Sequence, residues 1–177
     1  SQHDASERAS AVLATEQALT SAMARRFQDA MQPLRTADVV IANPPFGAVM
    51  EDGVSKIFDL STIQPNYNTT QIDHAVALRA LESMKDDGKA VLLLGAISKQ
   101  ITGPEGRSDA YNGKAKREFF KALYDRYNVT DQFTVSGDLY TKQGAAWPVD
   151  VVVIDGRGKS KRALPAVDVP RLLNTWD

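Results

Sequence analysis

Hydrophobic positions along this chain change their period several times, and each change marks an element. Leu19, Met23, Phe27 and Met31 recur every four residues in an alanine-rich stretch, predicting an amphipathic helix from about Ala5 to Gln32, closed by Pro33. Residues 1–10 are polar and are expected to fray. The Met/Phe stripe reads as core or interface, with Arg25 and Arg26 off it and facing solvent. Val39 to Ile41 is a β-branched run that must stop at Asn43, because Pro44 and Pro45 cannot donate to a ladder. Gly47 to Thr70 has no clear period and reads as a functional loop or flexible lid. A second amphipathic helix is expected from Gln71 to Lys85, with Ile72, Val76, Leu81 and Met84 on its apolar side and Asp86-Asp87-Gly88 closing it. Ala90 to Ile97 is apolar almost throughout, the pattern of a strand covered on both faces.

Residues 98–113 hold four punctuating residues (Gly103, Pro104, Gly106, Gly113) and read as another mobile loop, without phosphate-cradling spacing. Lys114 to Tyr127 is a third helix expected to bury Phe120, Leu123, Tyr124 and Tyr127. Val129, Phe133 and Val135 then alternate with polar residues. Leu139–Lys142 and Val149–Ile154 read as an antiparallel pair joined by residues 143–148. Beyond Gly156, a tail rich in Gly, Lys, Arg and Pro reads as a linker, with Trp176 marking a chain that continues or docks back. Strand, helix and buried strand in that order make a right-handed crossover in a parallel sheet, so the expected class is α/β. The organisation is an N-terminal helix (1–36), a sheet domain (37–156) and a tail (157–177).

Composition narrows this picture. With 177 residues, 43% hydrophobic and 24% charged, the chain can bury one sizeable core. No apolar run reaches membrane-spanning length and the N-terminus lacks a signal-peptide pattern. The absence of cysteine excludes disulfides and thiolate metal sites and is compatible with a reducing cytoplasm, the expected location. His3 and His74 show no metal-ligand spacing, so no metal is expected. A net charge of −1 gives no global attraction to nucleic acid. Two local groups (Lys114, Lys116, Arg117, Lys121 and Arg157, Lys159, Lys161, Arg162) read first as solvated surfaces and second as phosphate contacts.

The chemistry concentrates at Asn43-Pro44-Pro45-Phe46-Gly47. Two prolines fix two φ angles and push each preceding residue out of the helical region, making a stiff turn at the carboxyl end of a strand. Ligands bind at that end in open α/β sheets. Asn-Pro-Pro is also ordinary turn chemistry.

Asn43-Pro44-Pro45-Phe46 resembles the catalytic motif of the amino-methyltransferases, Asp/Asn/Ser-Pro-Pro-aromatic, whose best-known users are the N6-adenine DNA methyltransferases. The order of elements from Ala37 to Asp155, with an antiparallel end on a parallel sheet, is similar to the carboxyl half of such an enzyme. Leu139–Gly144 and Val149–Ile154 look like its closing hairpin. The whole also looks like the methylase portion beside helicase segments in bacterial and plasmid proteins of the strawberry-notch type. The resemblance implies an S-adenosylmethionine-dependent, Rossmann-like fold and methyl transfer to the N6 amine of adenine in DNA. The Asn43 side-chain oxygen and the Pro44 carbonyl would accept the amine hydrogens and draw electron density back onto a nitrogen whose lone pair is delocalised. Pro45 would stiffen the turn, and Phe46 would stack on a base taken out of the duplex. Gly47, Tyr67 and Lys142 would be further substrate contacts, with an ordinary surface tyrosine the plainer reading of Tyr67, and Asn43 would also be the cofactor contact. RNA guanine N2 and protein glutamine are alternative substrates of the same motif.

One departure is large. The family holds its cofactor on a glycine-rich turn after its first strand, yet the residues before Ala37 contain no glycine, and residues 129–177 offer no strand–Gly-x-Gly–helix sequence. The chain is then a piece of a longer enzyme, one half completed by a second chain, or a degenerate methyltransferase that only binds. A half-sheet exposes edges and apolar faces, which predicts homo-oligomerisation or cover from the N-terminal helix.

Overall fold

The computed structural model describes residues 14–15, 17–23, 26, 34–139 and 146–175. Two compact units result, residues 1–34 and residues 35–177. In the first, residues 14–15, 17–23 and 26 are helical; Leu19, Met23 and Arg26 are exposed, while Arg25, Phe27 and Met31 lie outside the described residues.

The second unit is built on β1 (Ala37–Ala42), β6 (Met84–Gly95), β7 (Tyr127–Val135), β8 (Val149–Arg157) and β9 (Arg171–Leu173). These form one five-stranded sheet in the order β1-β6-β8-β7-β9. β1 runs parallel to β6, β8 runs antiparallel to both β6 and β7, and β9 runs parallel to β7. The sheet is therefore mixed, and the class is α/β. The carboxyl ends of β1, β6 and β7 share one edge with the start of β8.

The helices of this unit cover a single face of its sheet. α1 (Ile72–Leu81) packs on β1 and β6, and α3 (Lys114–Arg126) follows α2 (Pro104–Asn112) and packs on β7. Val40 and Ala42 of β1, Ala90, Leu92 and Leu94 of β6, and Val152 and Ile154 of β8 are buried on this side with Leu78, Leu81, Phe119, Phe120 and Leu123. The alternate residues face the other way. Val39 is 59% and Ile41 74% exposed, and Val91, Leu93, Phe133, Val151 and Val153 are only half-buried. Within residues 35–177, the continuous apolar run of β6 thus meets helices on one face instead of two.

Several expectations change in the structure. The second helix ends at Leu81, and β6 starts at Met84, six residues earlier than Ala90. Ala37 pairs with Met84 and Val39 with Lys89, so residues 85–88 bulge out where Asp86-Asp87-Gly88 turns. The segment 47–70 is two small antiparallel ribbons, β2 (Met50–Glu51) with β3 (Val54–Ser55) and β4 (Phe58–Asp59) with β5 (Asn68–Thr69). Asp52 and Gly53 both take positive φ (52° and 79°), the two-residue turn whose twist suits a hairpin. Residues 104–112 are helical, with Gly103 at the N-cap and Pro104 in the first turn, where a missing N–H costs nothing. β8 pairs with β6 and β7; of the expected partner strand Leu139–Lys142, Leu139 lies in a short 3₁₀ turn and residues 140–142, with 143–145, lie outside the described residues.

The tail is docked and is no linker. Ser160 donates its amide to the Tyr124 carbonyl (2.8 Å) and its hydroxyl to the Tyr127 carbonyl (2.7 Å), and accepts the Val129 amide (2.9 Å). Leu164, Ala166 and Val169 pack on the core. Arg171 forks onto Asp131 at 3.0 and 2.9 Å, holding β9 beside β7.

Candidate active site

The Asn-Pro-Pro turn leaves β1 at the shared carboxyl edge. Pro44 is buried, while Asn43 and Pro45 are exposed. Asn43 makes no side-chain hydrogen bond to another described residue, so its amide oxygen stays open. Gly47 has φ +94°, which an L side chain rarely adopts, and its carbonyl accepts the Ile72 amide at 2.9 Å. That bond fixes the turn to the start of α1.

Phe46 is 38% exposed and walls a cleft of about 630 Å³. Gly47, Asp73, His74, Gly95, Lys116 and Trp147 supply much of the remaining wall. The cleft joins the ends of β1 and β6, the start of α1, the first turn of α3 and the segment entering β8. Trp147 donates its indole N–H to the Ala96 carbonyl (3.1 Å), and Lys116 donates to the Gly95 carbonyl (2.7 Å). Asp73 accepts the Gly95 amide at 3.0 Å. A planar aromatic molecule entering here meets two aromatic walls, Phe46 and Trp147, with the Lys116 ammonium and the buried Asp73 carboxyl also lining the cleft.

Burial sets the electrostatics. It pushes the Asp73 carboxyl above its ordinary value, against the pull of the Gly95 amide and the Lys116 charge. It drives the His74 pKa down to about 3, helped by Lys116. His74 is thus a neutral ring at pH 7, stacked on Phe119 with centroids 4.2 Å apart. Asp73 Oδ1 and His74 Nδ1 are buried without a hydrogen-bond partner among protein atoms. Such groups carry a desolvation cost unless something satisfies them.

The structure brings Phe46 and Gly47 into the cleft and places Asn43, Pro44 and Pro45 in the turn leading to it. Tyr67 goes elsewhere. It is 4% exposed, and its ring belongs to the core, so no face is left for a base. Asn66, at φ +61°, turns the chain inward there, and the Tyr67 carbonyl accepts the Leu60 amide. Lys142 lies outside the described residues. Sequence reasoning missed Gly95, Lys116 as a cleft residue, and Trp147; only the proximity of Trp147-Pro148 to a strand start pointed to the last.

The two basic groups part company. Lys116 enters the cleft, but Arg157 donates to the Met84, Leu81 and Glu82 carbonyls (2.9, 3.0 and 2.9 Å), and Arg162 pairs with Asp131 and Asp168. The second group therefore holds the tail and the end of α1, with these arginines committed to the protein itself.

The described residues offer no turn that fits S-adenosylmethionine. Its expected cradle is a tight strand–glycine–helix turn. β1 is followed by prolines and a ribbon, β6 reaches α2 only through residues 96–103, and the positive-φ glycines 47, 53, 156 and 158 precede no helix. No known family model matches the sequence, and no curated protein matches it significantly.

Proposed function

We propose that this chain is the amine-presenting half of an amino-methyltransferase site acting on adenine N6 in DNA. The observation that carries the reading is the placement of Asn43-Pro44-Pro45-Phe46 at the carboxyl end of a sheet strand, with Phe46 opening onto a cleft that Trp147 also lines. An adenine ring laid against Phe46 would bring its exocyclic amine toward the turn. The Asn43 amide oxygen and the Pro44 carbonyl would hold its two hydrogens and favour a pyramidal nitrogen whose lone pair is drawn out of conjugation with the ring. The prolines keep these acceptors from relaxing, which is what makes aimed dipoles effective. The antiparallel β8 on parallel β1 and β6 supports a Rossmann-like methyltransferase sheet, with the cofactor held by residues other than those described. The chain then acts with a preceding segment or a second chain. Cytoplasmic location and a strawberry-notch-type parent belong to this same proposal.

Methyl transfer from labelled S-adenosylmethionine to adenine-containing DNA tests it, using the isolated chain and a chain extended at its N-terminus. Label in N6-methyladenine from the extended chain, lost by about a hundredfold or more in Asn43→Ala, supports the reading. Label on RNA guanine or protein glutamine would move the substrate. The lack of a cofactor cradle favours a second reading, a non-enzymatic binding module, which complete inactivity of the extended chain would favour.

A further inference from the structure

Arg107 is 8% exposed, yet no carboxylate among the described residues pairs with it. Its Nη1 donates to the Pro170 carbonyl at 2.7 Å and its Nη2 to Thr134 Oγ1 at 3.0 Å. These two bonds leave the other donors of a five-donor fork unused. The nearest negative group in this network is Asp150, reached only through Thr134, whose hydroxyl donates to Asp150 Oδ1 at 2.7 Å. Tyr111 also donates its hydroxyl to that carboxylate, at 2.9 Å. A buried guanidinium without a direct counter-ion is rare, because arginine is almost never fully buried unless paired.

The same guanidinium borders a second hollow of about 400 Å³, lined also by Ser98, Lys99, Thr102, Ser136 and Asn174. These polar groups share the walls with Ile97, Ile101, Pro148 and Leu172. The acidic member, Asp138, is 3.3 Å from Lys99 at the exposed rim. The hollow lies over the carboxyl ends of β6 and β7, one position along the same sheet edge from the Phe46 cleft. Ala96 and Trp147 line the first hollow, and their neighbours Ile97 and Pro148 line the second.

We infer that this second hollow is a phosphate site, in which Arg107 and Lys99 receive a backbone phosphodiester of the strand whose base enters the Phe46 cleft. The inference rests on the proposed function for its ligand and on the buried, unpaired Arg107 for its place. Guanidinium geometry suits two phosphate oxygens at once, and the Ser98, Thr102 and Ser136 hydroxyls suit the others. The contact positions the strand and carries no sequence information.

The test is fluorescence anisotropy of a short adenine-containing single-stranded oligodeoxynucleotide on the full chain over a salt series, with inorganic phosphate as competitor. Arg107→Gln and Lys99→Gln are each expected to weaken binding about tenfold and to lower the slope of log K against log salt by about one. Lys99 is exposed, so its variant keeps the fold even if Arg107→Gln does not. Phe46→Ala is expected to weaken binding with the slope unchanged. Unchanged affinity and slope in both charge variants, with Phe46→Ala still weakened, would overturn the phosphate site alone. Inorganic phosphate that binds through Arg107 without displacing the oligonucleotide would also overturn it, as a free-phosphate site. Failure of the native chain to bind the oligonucleotide would overturn it together with the nucleic-acid reading.

Discussion

Asp73 Oδ2 accepts the Gly95 amide at 3.0 Å, tying the first turn of α1 to the last residue of β6. This bond sets the floor of the cleft against which Phe46 rests. A Cβ on Gly95 would lie 3.1 Å from Phe46 Cβ and 3.2 Å from Phe46 Cγ, so that approach requires glycine. Gly95→Ala should displace the Phe46 ring while costing no more than about 1 kcal/mol of stability, since Phe46 can swing toward solvent. Its affinity for deoxyadenosine should fall about tenfold, as read by titration calorimetry beside a urea melt.

His74 makes stability depend on pH. Its folded pKa, about 3, lies below the ordinary 6.5, so below pH 6.5 the unfolded chain takes up a proton that the folded chain refuses. Stability is therefore fully present above pH 6.5 and is lost as pH falls toward 3. The loss attributable to His74 between pH 7 and pH 5 should be about 2 kcal/mol. Raised Asp73 and Asp150 pKa values act oppositely: each carboxylate weakens the fold as pH rises from 3.8 through its folded value. In His74→Phe, which keeps the stack on Phe119, the acid-side loss should shrink by that amount in urea unfolding at the two pH values.

Arg157 should matter more than a surface cation. Its guanidinium takes three carbonyls around the end of α1 and lies 5.2 Å from the Tyr127 ring centroid. Arg157→Ala is expected to destabilise by about 2–4 kcal/mol in chemical denaturation, and Arg157→Lys to recover only part of that.

The open face of the sheet should make the chain associate. Val39 and Ile41 stand exposed on edge strand β1. Ile41→Lys should leave stability within about 0.5 kcal/mol, because the side chain buries little. In sedimentation it should weaken self-association by about tenfold or more. A native chain that stays strictly monomeric at high concentration would contradict this.

Long periodic segments were legible in the sequence. α3, β7 and the stop of β1 at Asn43 follow from apolar spacing and from prolines that cannot extend a ladder. The ribbons at 50–69 were not, because two-residue strands carry no period; Asp52-Gly53 was the turn signal there. α2 was hidden because Gly103-Pro104 reads as a breaker when taken alone, although proline at a first turn starts helices equally well. The docked tail depends on Ser160, Arg162 and Arg171 meeting groups far away in the chain, and no local pattern encodes that. At the site, the Asn-Pro-Pro turn was readable, but Gly95, Lys116 and Trp147 converge only through the sheet order.

The most direct measurement compares binding of deoxyadenosine with that of purine deoxyriboside, identical except that it lacks the exocyclic amine. If Asn43 and Pro44 accept that amine, deoxyadenosine should bind the native chain about tenfold tighter, and Asn43→Ala should erase most of the difference. Equal binding of the two nucleosides, or a preference that survives Asn43→Ala unchanged, would contradict the account.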